Sequence, residues 1–314
     1  MTEEEYPGPR LIETSAPCPP LARLPKLPVR VLVLSREGDQ GEERRRLASR
    51  LARLADELGV GAGVRVAAHS FTDWAHLGEG LEPGRYDAVF FSDTDLPGAY
   101  DDPSEPADGL LDALFLLLAD SETRFIVLQP PSGGAVDRRD ALCLRLADRG
   151  SPPAVVVPQG WAEGDADTFV ETLFERILHD WPLARAVTDA AGHRTPRVTI
   201  FQPPGRRHGL DLGRLLENHR RRIEEGGSAL RSFLRELEAA RPEEESGPWH
   251  DIAGQASQRQ EELDAVKADV EEINRDRDPA GWSRLVESIA RLNRWEEGLE
   301  RARAALEATR GAAP

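Results

Sequence analysis

Apolar residues between positions 29 and 202 fall into two patterns, short unbroken runs and longer stretches with helical spacing. The unbroken runs predict strands that are buried on both faces of a sheet. The longer stretches carry apolar residues three or four positions apart, which predicts amphipathic helices. Predicted strands cover 29–34, 64–67, 86–91, 125–128, 154–157 and 198–201, the last as a possible edge strand. Predicted helices cover 42–58, 71–77, 110–118, 136–146, 165–178 and 183–190, and in 165–178 the inward residues are Phe169, Leu173, Phe174 and Ile177. Their alternation predicts an α/β fold with a mostly parallel sheet and helices on both faces.

The pattern changes after Gly209, where apolar residues alternate at intervals of four and three. This spacing is typical of the packing seams of long helices. The seam residues are Leu212, Leu216, His219, Ile223, Gly226, Leu230, Phe233 and Leu237, then Leu263, Val266, Val270 and Ile273, then Leu285, Leu292, Trp295, Leu299, Ala302 and Leu306. Breaks at 242–248 and 278–281 supply the loops between them. The seams predict three antiparallel helices or two long hairpins, or a coiled coil that pairs with a second chain.

Two glycines, Gly226 and Gly227, lie inside the first of these helical stretches. Each costs a helix about 1 kcal/mol relative to alanine. The pair therefore predicts a kink, or a place where another chain packs closely.

The 314 residues predict two domains, preceded by a segment rich in proline. We expect a lead-in over 1–28, an α/β domain over 29–205 and an α-helical bundle over 209–310. The net charge of −16 argues against nucleic acid or an anionic membrane as a partner, because both would be repelled. No apolar run is long enough to predict a membrane span, and the start of the chain does not resemble a signal peptide, so we expect a cytoplasmic protein.

The centre of the α/β domain is the run from Arg124 to Gly134, which reads as a buried strand, a turn and the start of a helix. Open α/β sheets place their sites at the carboxyl ends of the strands. The residues that follow this strand are Gln129, Pro130, Pro131 and Ser132, and proline has no ionisable or nucleophilic group. The segment from Ser132 to Gly134 could cradle a phosphate or another small molecule on backbone N–H groups, although a plain turn explains it as well.

A second candidate site follows two other predicted strands. Asp93 and Asp95 have the spacing of a divalent-metal pair, and Glu37 could complete a three-carboxylate site for magnesium. This pattern would suit a metal-dependent hydrolase or transferase. Acidic residues at strand ends are also common in a chain this acidic, so the leading prediction includes no metal and no cofactor.

The cysteines and histidines do not form a recognisable catalytic or metal-binding motif. Cys18 and Cys143 make neither a disulfide framework nor a zinc cluster, and Cys143 has the apolar helical setting of an inert buried thiol. His69, which we expect to end the second strand, and His76, on the next predicted helix, could both reach a cleft, with a structural role as the default for each.

The order of the elements, read with their end residues, resembles the caspase-type fold of the CHAT cysteine peptidases of clan CD. In that family the third strand opens with Tyr-Asp and is followed by Gly-His, whose His is the general base. The fourth strand ends in Asn-Ala-Cys-x-Ser-Gly, whose Cys is the nucleophile. The resemblance covers about 29–202 and rests on Tyr86, Asp87, Ile126 to Leu128, Gly134, Gly150, Val155 to Val157, Trp161, Asp165, Phe169, Phe174, Leu183 and Ala186 to Ala190.

The catalytic positions depart from the family. The Gly-His position corresponds to Asp93 and Thr94, and the Cys position corresponds to Pro131. A peptidase of this type needs a thiolate activated by an imidazole, and neither Thr94 nor Pro131 supplies one. The resemblance therefore implies a degenerate pseudo-peptidase that acts through a protein partner as scaffold, sensor or regulator. It implies a setting in a bacterial conflict or immune-like system, with self-association through 209–310 as a further possibility.

Overall fold

The computed structural model describes residues 9–13, 27–36, 40–71, 86–92, 123–129, 154–156, 161, 163–193, 198–202, 210, 212–241, 247–276 and 279–311. Contacts divide the chain into two compact units, Met1–Leu212 and Gly213–Pro314. The predicted helices 110–118 and 136–146, and most of 71–77, lie outside the described residues.

The first unit contains a sheet of seven strands in the part of the chain that the structure describes. The strands are β1 (Arg10–Glu13), β2 (Val29–Arg36), β3 (Val64–Phe71), β4 (Ala88–Ser92), β5 (Phe125–Gln129), β6 (Ala154–Val156) and β7 (Thr199–Gln202). Their order across the sheet is β3-β2-β4-β5-β6-β7-β1. The first five in this order are parallel, whereas β7 is antiparallel to β6 and β1 is parallel to β7. The prediction of an α/β fold with a mostly parallel sheet is confirmed.

The central strands are buried on both faces, as their unbroken apolar runs predict. Successive side chains of a strand point to opposite faces, and every residue from Val31 to Leu34 is at most 1% exposed. The same holds for 125–127 in β5, where no residue exceeds 2% exposure. Apolar area removed from water on both faces stabilises this part of the sheet most.

Three details of the sheet differ from the prediction. The proline-rich lead-in contributes β1, whose Arg10 N–H donates to the carbonyl of Val198 at 3.0 Å. As a consequence β7, predicted as a possible edge strand, has strands on both sides. The second predicted strand, 64–67, continues to Phe71 because all eight of its residues pair with β2.

Three helices of the first unit are described: α1 (Gln40–Glu57), α2 (Glu163–Leu178) and α3 (Leu183–Ala191). The inward residues predicted for α2, namely Phe169, Leu173, Phe174 and Ile177, are all at most 1% exposed. Phe174 meets Phe90 of β4 edge to face, with ring centroids 6.3 Å apart. Apolar packing of this kind holds α2 against the sheet.

Helices α1 and α2 are joined by a group of charged side chains. The buried Arg44 donates to Asp167 at 3.1 Å, and Arg50 binds the other oxygen of the same carboxylate. Arg50 also pairs with Glu171 at 2.7 Å. The single carboxylate of Asp167 therefore neutralises an arginine that would be costly to bury alone.

The second unit consists of three long helices in its described part: α4 (Leu212–Ala239), α5 (Gly247–Asp276) and α6 (Pro279–Gly311). Every seam residue predicted from the spacing is buried. The predicted break at 242–248 is shorter than expected, because α5 already begins at Gly247.

Pairwise contacts give the directions of these helices. Contacts from α4 to α6 advance together along both helices, from His219 with Ser288 to Ala229 with Arg303, so α4 and α6 are parallel. Contacts between α5 and α6 run in opposite senses, from Glu272 with Arg284 to Arg259 with Trp295. The prediction of three helices is confirmed for the described residues, with α5 antiparallel to the other two.

Candidate functional site

The carboxyl ends of four neighbouring strands carry polar residues at one level of the sheet. Ser35 of β2 is in register with Ser70 of β3 on one side and with Ser92 of β4 on the other, and Ser92 is in register with Gln129 of β5. The row beneath it contains Leu34, Phe91 and Leu128, all buried. Because in-register residues of parallel strands share a face, β2, β4 and β5 change from apolar to polar at the same level, whereas β3 already has His69 in the row beneath.

The topological switch point of the sheet lies between β2 and β4. The chain passes from β2 to β3 on one side of β2, and β4 then lies on the other side. Ligands of open α/β proteins bind outside the carboxyl ends of strands at such a point. The polar row is therefore the position at which this fold would place a ligand.

The residues predicted to act at this edge lie outside the described residues. They are Glu37, Asp93, Asp95 and the segment 132–134. The degenerate positions Thr94 and Pro131 lie outside the described residues as well, and so do Cys18, Cys143 and His76. The structure describes the strand ends that precede them in the sequence. Arg36 ends β2, Ser92 ends β4 and Gln129 ends β5, and these three strands are neighbours.

His69 does not terminate its strand as predicted. It is in register with Leu34 inside β3, and the strand continues through Ser70 to Phe71. The side chain is half-buried. Within the described ranges, no three His, Cys, Asp or Glu side chains converge closely enough to share a metal ion.

The opposite, amino-terminal edge of the sheet contains a buried charged pair. Asp87, which precedes β4, accepts a hydrogen bond from the backbone N–H of Arg30 at 2.9 Å. Its other carboxylate oxygen lies 3.5 Å from Nε of Arg124, which is 1% exposed. The carboxylate thus connects the starts of β2, β4 and β5. The Tyr-Asp pair that carries part of the family resemblance has a structural role here.

The helical unit contains a buried polar pair that faces no solvent. His219 of α4 and Ser288 of α6 share a hydrogen bond of 2.9 Å between Nε2 and Oγ, and they are 1% and 0% exposed. The other ring nitrogen of His219, Nδ1, is buried and has no hydrogen-bond partner among the residues that the structure describes. Burial is the main cause that lowers the pKa of His219 from 6.5 to about 4, and the charge of Arg222 contributes. The imidazole is therefore neutral near pH 7.

Sequence reasoning placed His219 in the helical seam but missed Ser288. The signal was present, because Ser288 stands between Leu285 and Leu292 at intervals of three and four. A serine at such a position indicates a buried hydrogen-bond partner on a facing helix.

Comparisons with protein-family models, with curated proteins and with solved structures give no match to this chain. None of the described helices combines the length and the apolar character that crossing a membrane requires.

Proposed function

We propose that this chain is a non-catalytic, caspase-like interaction protein, in which a degenerate CHAT-type α/β domain accompanies a helical bundle that binds a protein partner. The mostly parallel sheet is the architecture that the family resemblance requires. This support is coarse, because many α/β proteins share it.

The observation that carries the proposal is the register of β4 and β5. Ser92 and Gln129, the last residues of these strands, are directly paired neighbours. In the peptidases that the sequence resembles, the segments after these two strands hold the His and the Cys. Here the same segments read Asp93-Thr94-Asp95 and Pro130-Pro131-Ser132, without an imidazole or a thiol. Peptide-bond hydrolysis of that type needs both groups.

A peptidase assay tests the catalytic half of the proposal. The full chain is incubated with a broad peptide library, beside Cys143→Ala, Cys18→Ala and a sample alkylated with iodoacetamide. We expect no cleavage above the buffer blank in any sample. Cleavage by the wild type that is lost on alkylation and in one cysteine variant would overturn the proposal.

Cross-linking in the native host tests the interaction half. Exposed residues of α5 at helical spacing, Glu261, Ala265 and Ala268, are replaced together by Lys, Arg and Arg. A matched variant replaces the exposed Arg294 and Arg301 of α6 by Glu. We expect one of the two variants to lose the partners that the wild type captures. A chain truncated before Gly209 should lose all of them. Partners that persist after truncation would place the binding surface on the α/β domain.

The alternative function is a metal-dependent hydrolase or transferase that uses Glu37, Asp93 and Asp95. The specific observation in its favour is that β2 and β4, which Glu37 and Asp93 directly follow in the sequence, are neighbours at the switch point. Titration calorimetry with Mg²⁺ and Mn²⁺ tests it on the wild type, on Asp93→Asn and on the control Glu224→Gln. Saturable binding that is lost only in Asp93→Asn would favour this alternative.

A further inference from the structure

We propose that the contact between α4 and α6 is a pH-sensitive latch, in which protonation of His219 releases α4 from the other two helices. This inference concerns the helical unit alone and does not depend on whether the α/β domain is catalytic.

The geometry of the imidazole is the first argument. Neutral His219 is accommodated by one hydrogen bond, between Nε2 and Ser288 Oγ, in a buried seam. A protonated imidazole carries N–H donors at both nitrogens. The second donor, Nδ1–H, would point into a position where the described residues offer no acceptor. A buried donor without an acceptor, on a charged ring, is costly.

The neighbouring charges are the second argument. Arg222, three residues further along α4, has its guanidinium bound to Glu296 at 2.7 Å and to Asn293 at 2.8 Å, both on α6. An imidazolium at position 219 would add a second positive charge beside it on the same helix. The bonds of Arg222 to α6 hold its guanidinium in place while α4 is docked, so the docked state makes protonation of His219 more costly than the released state does.

The carboxylates around this level already have cationic partners. Glu296 of α6 pairs with Arg222. Asp269 of α5 pairs with Arg291 of α6 at 2.6 Å, and Glu287 of α6 lies 3.7 Å from the same arginine. Among the described residues, none of these three carboxylates forms a hydrogen bond or an ion pair with His219. The seam residue of α5 near this level, Val270, is apolar and buried.

The contact between α5 and α6 has no comparable group. It is formed by the pairs of Arg284 with Glu272 and of Arg291 with Asp269, and by the indole of Trp295, whose Nε1 donates to the carbonyl of Arg259 at 2.7 Å. None of these three contacts involves a histidine, and His250, the one histidine of α5, is exposed. Acidification between pH 7 and pH 5 therefore acts on α4 first. Its release exposes the apolar stripe of Ile223, Leu230 and Phe233.

The direction and size of the effect follow from the pKa of His219. That pKa is about 4 in the docked state and 6.5 in the ordinary, solvated state. The released helix binds more protons in this window, so docking is fully stable above pH 6.5 and weakens as pH falls from 6.5 towards 4. At pH 5 the docking equilibrium constant should be about 30-fold lower than at pH 8 from this group alone.

Hydrogen exchange of the full chain, followed by mass spectrometry at pH 8, 6 and 5 and corrected for intrinsic rates, tests the latch. The variants are His219→Gln, whose amide retains a hydrogen bond to Ser288 without titrating, and the control His193→Gln, whose side chain is exposed. In the wild type and the control, protection of 212–239 should fall about 30-fold more than in His219→Gln. Protection of 247–276 should change less.

Two results would overturn the latch. One is an equal pH dependence of α4 protection in the wild type and in His219→Gln. The other is loss of protection in all three helices together, which would indicate unfolding of the whole unit. If His219→Gln does not fold, an NMR titration of wild-type His219 replaces it. An imidazole that titrates near 6.5 while α4 remains protected would then refute the proposal.

Discussion

The backbone of Gly226 lies directly against the indole of Trp295. A Cβ built on Gly226 would stand 2.9 Å from Cζ3 of this ring, which is closer than carbon atoms approach without displacement. The glycine therefore lets a buried tryptophan of α6 pack against the α4 backbone. The sequence predicted a kink or the close packing of another chain at this position, and the structure places a helix of the same chain there instead.

Gly226→Ala should lower the free energy of unfolding, whereas Gly227→Ala should raise it. A Cβ at position 227 meets only ordinary contacts, at 3.6 Å to Arg231 and 3.9 Å to Leu263. Alanine there should stabilise by roughly 0.5–1 kcal/mol through helix propensity. At 226 the overpacking cost of about 1–3 kcal/mol should outweigh that gain. Denaturant unfolding of the two variants measures both effects, and stabilisation by both would contradict the close contact.

Ser288→Ala should destabilise the helical unit by about 1–3 kcal/mol, because it removes the one hydrogen-bond partner of a buried imidazole. Ser257→Ala is the matched control. That hydroxyl is exposed on α5 and donates to the carbonyl of Ala253, so its removal should stay within about 0.5 kcal/mol of the wild type. Equal values from the two variants in thermal unfolding would show that the buried hydrogen bond contributes nothing.

Arg222→Gln should raise the pKa of His219 from about 4 towards 6.5, because the positive charge of Arg222 is one of the two causes that lower it. The folded and unfolded pKa values then differ less, so the variant should lose less stability between pH 6.5 and pH 4. NMR titration of the imidazole measures the change. Arg220→Gln, which removes a half-buried arginine paired with Glu217, should leave the pKa of His219 unchanged, and an equal shift in both variants would exclude a specific effect of Arg222.

Asp87→Ala should destabilise the α/β unit by about 3–5 kcal/mol, because it removes the carboxylate from the buried guanidinium of Arg124. Asp87→Asn should cost less, since its side-chain oxygen still accepts from the N–H of Arg30. The exposed Asp251 of α5 provides the control, and Asp251→Ala should change little. Urea unfolding of the three variants checks the order. If Asp87→Ala left the free energy of unfolding unchanged, the pair of Asp87 and Arg124 would not hold the strand starts together.

Much of the architecture was predictable because helices and buried strands are local patterns. All predicted seam residues of the helical unit are buried, including His219, and the strands at 29–34 and 125–128 lie where their unbroken runs indicate. A seam follows from the repeat of one helix, and a buried strand from the absence of polar positions. Neither requires knowledge of which element lies opposite.

Features that depend on distant partners were not predictable in this way. Strand β1 in the proline-rich lead-in has only four residues, and pairing with β7, far along the chain, is what makes it a strand. Asp87 contacts Arg30 and Arg124, which the sequence separates widely. Ser288 was overlooked because its position between Leu285 and Leu292 does not by itself show that His219 is its hydrogen-bond partner.

The sequence alone determined the kinds of residue available for chemistry. Thr94 and Pro131 stand where the proposed family resemblance would put the His and the Cys of a peptidase, and Glu37, Asp93 and Asp95 are the carboxylates of the alternative metal site. Only the tertiary structure decided which strand ends are neighbours, because strand order arises from pairing between distant segments. That pairing brings Ser35, Ser92 and Gln129 to one level of the sheet. In the same way, packing of α4 on α6 made a buried pair of His219 and Ser288. Periodicity predicts that His219 is buried, but it cannot show which residue of another helix lies opposite.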